Sequence, residues 1–172
     1  MNIRKSLLCL TFSLLMILSV SAFAFGQEMV GASGGRNVAA MKLTTIPPLP
    51  TCARGSVQNG DPSMGPTIIF ARLTAGCVIP WHWHTPNEHI MIVSGTARLD
   101  MRKSKPLILT SGGFAMVGSR HEHQFTCQTG PCQFYVYSDT SFDLYYVDDK
   151  GHVIKPDEAM KAVRQKAATE MK

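Results

Sequence analysis

The sequence predicts an all-β fold, an antiparallel sandwich or barrel of many short strands closed by one C-terminal helix. Three observations lead there. Between Thr67 and Val147, apolar or alternating runs recur at short intervals, punctuated by Gly, Pro, Asn, Asp and Ser. Sustained helical periodicity is confined to residues 156–172, where Met160, Val163 and Ala167 fall on one face and Pro156 with Asp157 suits a first turn. The 172 residues and 45% hydrophobic content fit one globular domain with a core of ordinary size.

In chain order, Asn2-Ile3-Arg4-Lys5 is a basic start, Leu7 to Val20 an apolar run, and Ala22-Phe23-Ala24 a small-residue cleavage site. That pattern reads as a signal peptide over 1–24, cut after Ala24, and places the mature chain in the periplasm or outside the cell. The apolar run falls short of the roughly 20 residues a membrane span needs, so no stable membrane insertion is expected after cleavage. Cys9 lies inside the run, without the context of a lipid anchor. Residues 25–50 read as a Gly/Ser-rich leader followed by a proline-rich arm. Within them, 37–43 is a short strand or turn, and Thr44 to Pro50 holds too many prolines for a central strand.

Residues 51–155 are the expected barrel domain. Its strands are 52–58, 67–73, 76–84, 88–93, 96–102, 107–110, 114–117, 121–127, 133–137 and 142–147. Turns are expected at Asn59-Gly60-Asp61-Pro62, Ser94-Gly95 and Asp148-Asp149-Lys150-Gly151. The helix or tail 156–172 completes the chain.

Lys and Arg number 17 against 12 acidic residues. Removing Arg4 and Lys5 leaves 15 against 12, so the formal charge falls from +5 to +3. The remaining basic residues are scattered and lack interleaved aromatics, which argues against a nucleic-acid partner. Cleavage leaves Cys52, Cys77, Cys127 and Cys132, an even number in an oxidising compartment with three connectivities open. Cys127-Gln128-Thr129-Gly130-Pro131-Cys132 reads as a hairpin tip closed by its own cysteines, which leaves Cys52 for Cys77. A zinc site using Cys127, Cys132 and a histidine is the alternative, although the spacing is unusual for one.

The stretch Gly76 to Gly95, GCVIPWHWHTPNEHIMIVSG, carries the chemistry. Side chains alternate faces along a strand, so His82 and His84 point one way and Trp81 and Trp83 the other. Thr85-Pro86-Asn87 supplies turn chemistry, and a hairpin there brings Glu88 back beside the histidines. Two imidazoles and a carboxylate at one point are ligands for a first-row transition metal.

The same stretch resembles the first signature of the cupin superfamily: Gly76, five residues, His82, one residue, His84, three residues, Glu88, six residues, Gly95. The second signature is similar to Gly112 through Phe125 and places its histidine at His123. Gly113 stands where that signature has an acidic residue, Gly118 where it has proline, and Arg120 where it has a second glycine. Flanking segments resemble those of exported bacterial single-domain cupins. The resemblance implies a double-stranded β-helix, or jelly-roll barrel, commonly a homodimer. It also implies one divalent metal (Mn, Fe, Ni, Cu, Co or Zn) held by His82, His84, Glu88 and His123.

His121 shares a face with His123 and replaces it as ligand if the irregular turn shifts the register by two; otherwise it can support the site. His89 faces outward, and His152 sits in a polar turn. Ile90, Ile92, Met116 and Phe125 are expected to line the cavity, and Trp81 and Trp83 to pack against a second sheet layer or a dimer partner. Function follows as a small-molecule metalloenzyme, either dioxygenase-like or using metal-assisted acid/base chemistry with Glu88 as ligand or base. The alternatives are a non-catalytic metal- or ligand-binding sensor module and a barrel in which the metal is only a staple.

Overall fold

The structure, a computed structural model, describes residues 33–170. The expected signal peptide and the leader up to residue 32 lie outside the described residues. A 3-10 turn, Val38–Ala40, precedes nine strands: β1 Thr44–Thr45, β2 Ala53–Asn59, β3 Thr67–Leu73, β4 Val78–Trp83, β5 Glu88–Met101, β6 Leu107–Leu109, β7 Phe114–Val117, β8 His123–Ser138 and β9 Tyr145–Tyr146. Helix α1, Pro156–Glu170, follows. The proline-rich segment lies at the margin of the sheet: β1 pairs only with β2, and the prolines that follow have no N–H to give a ladder.

β8 is the spine. One of its edges pairs antiparallel with β5 from Met101↔His123 to Glu88↔Ser138. The other edge takes β4 on the first half, with His82 opposite His123, and β3 on the second, from Leu73↔Cys132 to Thr67↔Ser138. β6 and β7 pair with the two ends of β5, while β2 extends the sheet beyond β3 and β9 extends it beyond β4. Leu99 and Phe125 from one half of the β5–β8 ribbon share a single hydrophobic core with Ile90, Ile92, Phe134 and Val136 from the other. The ribbon is therefore folded across its middle, and its two halves form the facing layers of a jelly-roll barrel.

Two expected turns do not exist as turns. Ser94-Gly95 lies inside the continuous strand β5, and Cys127 to Cys132 lies inside β8 rather than at the tip of a hairpin. The stretch Cys127 to Gln133 spans six steps while its partners Ala97 to Ser94 span three, so the extra residues are pushed out as a bulge. Cys127 and Cys132 sit across that bulge with S–S 2.09 Å, and Cys52 and Cys77 join at 2.10 Å. Both pairs accord with an oxidising compartment. Gly95 faces the bulge at φ +85°, and a β-carbon there would meet Cys132 Cα at 2.8 Å and the carbonyls of Thr129 and Pro131 at 2.9 Å.

The expected strand 142–147 is reduced to Tyr145–Tyr146, because the preceding residues form a loop tied to other segments, including Phe142 N–H to the Pro62 carbonyl. Helix α1 docks only by its first half: Ala159 is buried, Met160 and Val163 are half-buried, and Ala167, which falls on the same face, is exposed. No helix among the described residues is long and apolar enough to cross a membrane.

The bend predicts the cost of filling it. Gly95→Ala should destabilise the fold by about 2 kcal/mol or more, combining left-handed strain with backbone overlap. In thermal unfolding this reads as a fall in Tm of about 5 °C or more; an unchanged Tm would mean that the bulge tolerates a side chain.

Candidate metal centre

Folding the ribbon decides which side chains meet. His123 begins β8 and Glu88 begins β5, so they stand at opposite ends of the ribbon, both far from the bend. Once it is folded, Glu88 Oε2 lies 3.2 Å from His123 Nε2 and 3.8 Å from His84 Nε2. His82 joins from β4, directly across from His123, and His84 follows on the same inward face. Among the described residues, His82, His84 and His123 each offer a ligand atom within 4.8 Å of the others, and all three are buried. The convergence expected from the sequence is present, but not through a hairpin. β4 and β5 do not pair; each reaches the site through β8.

Backbone carbonyls set the orientation of all three rings. His82 Nδ1 donates to the Pro80 carbonyl at 2.6 Å, His123 Nδ1 to the His121 carbonyl at 2.9 Å, and His84 Nδ1 to the Asp143 carbonyl. A carbonyl can only accept, so each Nδ1 carries the proton and each Nε2 keeps its lone pair. Burial, reinforced by the neighbouring imidazoles, lowers the pKa of His82 well below the ordinary value. Burial also lowers that of His84, against the pull of Glu88. Both therefore remain neutral at neutral pH, as a metal ligand must. For Glu88, burial raises the pKa, yet the neighbouring imidazoles, His84 foremost, together bring it below the usual carboxylate range. His84 Nε2 and Glu88 Oε2 are buried without a hydrogen-bond partner. Orphaned polar atoms of this kind are costly to bury unless something binds them, and this donor set fits a divalent transition ion.

The other expected site residues divide. Ile90, Ile92 and Phe125 are buried in the barrel interior, whereas Met116 is 59% exposed and faces outward. The reason is register: β7 pairs Val117 with Glu88 and Met116 with His89, and opposed residues share a face. His89 accordingly faces outward too, near Phe114 and Tyr137. His121 is exposed and outside the cluster, because residues before His123 belong to a turn in which the His121 N–H bonds the Gly118 carbonyl. Its part in the site is its backbone oxygen. Trp81 and Trp83 are half-buried: Arg102 covers the first, while Tyr145 and Arg120 lie against the second.

Two neighbours were not among the expected site residues. The Phe142 ring lies 4.4 Å from that of His84, and Tyr146, opposite His82 on β9, is buried with its hydroxyl on the Pro48 carbonyl. Their only signal in the sequence was an aromatic-rich segment before the last turn.

A jelly-roll barrel with three inward histidines, on β4, just past its end and on β8, defines the cupin class. A family model described as Cupin domain matches residues 69–138, and the chain belongs to the cupin superfamily. Solved structures with the same fold include the polyketide cyclase RemF from Streptomyces resistomycificus (TM-score 0.60, 14% identity, covering 68% of this chain and 87% of that one). Another is an RmlC-like cupin protein from Ralstonia eutropha JMP134 (TM-score 0.55, 18% identity, 80% and 88%). A third is the DMSP lyase DddQ from Ruegeria pomeroyi DSS-3 (TM-score 0.56, 18% identity), covering 66% of this chain and 64% of that one. No curated protein matches the chain in sequence.

Two outcomes follow from this geometry. Metal analysis of purified protein should find a stoichiometric transition metal that is lost in the His82→Ala/His84→Ala double variant and in His123→Ala, but kept in His121→Ala. Equal retention in the two single variants would remove His123 from the site. The second outcome concerns pH. In chelator-treated protein the unfolded histidines bind protons near the ordinary value of 6.5, while folded His82 and His84 resist them. The unfolded state then holds more protons, so stability present above pH 6.5 declines as the pH falls below it. Glu88, lowered from 4.5, removes further stability below that value. Thermal unfolding at about pH 7.5 and about pH 5.5 should show the lower Tm at the acidic value, with a smaller difference in His82→Gln.

Proposed function

We propose that this cupin holds one divalent transition metal through His82, His84, His123 and Glu88 and acts on a small molecule as a metalloenzyme. The observation that carries the reading is the convergence of three Nε2 lone pairs, each fixed by a backbone carbonyl, beside a buried carboxylate with no hydrogen-bond partner. When bound, such an ion supplies Lewis acidity and, if redox-active, the means to activate oxygen. The chain's own residues supply the rest. The three imidazoles hold neutral donors in place, and the Asp143 carbonyl ties the β8–β9 loop to His84, keeping the Phe142 ring over it. Glu88, with its pKa lowered, is better suited to remain a ligand than to carry protons, since an efficient general base has its pKa near the working pH.

A second reading, a non-catalytic metal- or ligand-binding module, has one observation in its favour. The other buried hydroxyls among the described residues are committed: Thr67 to the Asn59 carbonyl, Ser138 to that of Thr140 and Tyr146 to that of Pro48. Among the described residues, no buried hydroxyl is thus left free to serve the site as an acid or base beyond its ligands.

The two readings separate in one experiment. Protein reconstituted in turn with Fe, Mn, Ni, Cu, Co and Zn is incubated with a panel of small organic acids, phenols and sugars while oxygen uptake and product mass are followed. Turnover that disappears in His82→Ala and falls by about 100-fold or more in Glu88→Gln supports the enzyme. Stoichiometric metal with ligand-induced thermal shifts but no product supports the module.

A further inference from the structure

We infer that the outer side of the barrel mouth carries an oxyanion-binding cleft separate from the metal centre. The alternation of β4 that sends His82 inward sends Trp81 and Trp83 outward, and each indole carries a guanidinium. Arg102 Cζ lies 4.1 Å from the Trp81 ring centroid and Arg120 Cζ 5.3 Å from that of Trp83. Beside them opens a cleft of about 500 Å³ lined by Arg102, Lys103, Arg120, Glu122, Asp149 and Lys150, among others. Arg102 is already occupied, with Nε donating to Glu122 Oε2 at 3.0 Å and Nη2 to the Asp148 carbonyl at 2.9 Å. The side chains of Lys103, Arg120 and Lys150 have no hydrogen-bond or ion-pair partner among the described residues. Apart from the committed pair, three cations therefore face the single carboxylate of Asp149.

Backbone conformation supplies a second, independent observation. Lys103 at φ 60° and Arg120 at φ 58° are the non-glycine residues with positive φ among the described residues, and both line this cleft. A β-carbon is disfavoured there and glycine is not. At position 120 the cupin signature has glycine, yet this chain places a guanidinium. Two cations held in strained conformations around one cleft mark a site where the side chains are used.

The chemistry that fits is an oxyanion. A guanidinium fork offers paired, charge-assisted donors to phosphate, sulfate or carboxylate, and the two lysines add mobile positive charge. The volume suits a small organic anion as well as an inorganic one. Because the cleft lies on the outward side of β4, occupancy needs no ligand position at the histidines.

Calorimetric titration of the chelator-treated full chain with inorganic phosphate, sulfate and succinate tests this. At least one anion should bind saturably and more weakly as salt rises. Arg120→Gly and Lys103→Gly should each lose about tenfold in affinity, while Tm holds or increases because glycine suits the left-handed backbone. Lys150→Ala, on an exposed turn, provides a third loss should either glycine variant lower Tm. Preference for succinate over the tetrahedral anions identifies a carboxylate ligand, and the reverse a phosphoryl or sulfuryl group. Absence of saturable binding for all three anions, or wild-type affinity in all three variants, overturns the site.

Discussion

Everything in this barrel depends on one shared kink. β5 and β8 are paired along their whole lengths, and a long antiparallel ribbon of that kind would normally run on as a twisted sheet. Gly95 and the bulge before Cys132 sit opposite each other, and their backbones approach so closely that no β-carbon fits between them. The ribbon folds there, its inner faces share one core, and its two far ends are brought together. His123 and Glu88 become neighbours as a result. The disulfide-bonded Cys127 and Cys132 lie on the same bulge, so the covalent tie reinforces the point on which the geometry turns.

The site at the far ends couples packing to electrostatics. Burial disfavours charge on His82 and His84 and alone would also neutralise Glu88; the surrounding imidazoles reverse that effect for the carboxylate. Neutral nitrogen donors and an ionised oxygen donor can therefore coexist within a few ångströms, an arrangement that is costly when empty and favourable around a cation. The carbonyls of Pro80, His121 and Asp143 come from three separate segments. Site geometry is thus distributed across the barrel instead of residing in the motif alone.

The outward face of β4 repeats the logic with the opposite polarity. Inside, a strand of alternating residues presents imidazoles to a site suited to a cation. Outside, its tryptophans support arginines beside a cleft suited to an anion. The Arg120 N–H donates to the His84 carbonyl at 2.7 Å, so the backbone of one site contributes directly to the frame of the other.

The period-two alternation was sufficient, from sequence alone, to assign His82 and His84 to one face and the tryptophans to the other, because alternation is a local property of an extended chain. The signature spacing likewise pointed to Glu88 and His123, which the fold brings within 3.2 Å of each other, and the run of short strands gave the fold class. What could not be read locally was which strands pair. The segment from His82 to Glu88 has the form of a hairpin, yet its strands both use β8, whose residues lie more than thirty positions away. Phe114 to Val117 is apolar on both faces, so no pattern could reveal that Met116 points outward; pairing with β5 decided it. Gly95 and Gly130-Pro131 have the composition of turns, and only long-range pairing on both sides made them bulges within continuous strands. The sequence determined which side chains could serve as ligands, through spacing and alternation. The tertiary structure decided how they meet, because register and strand partners are set by contacts between residues far apart in the chain.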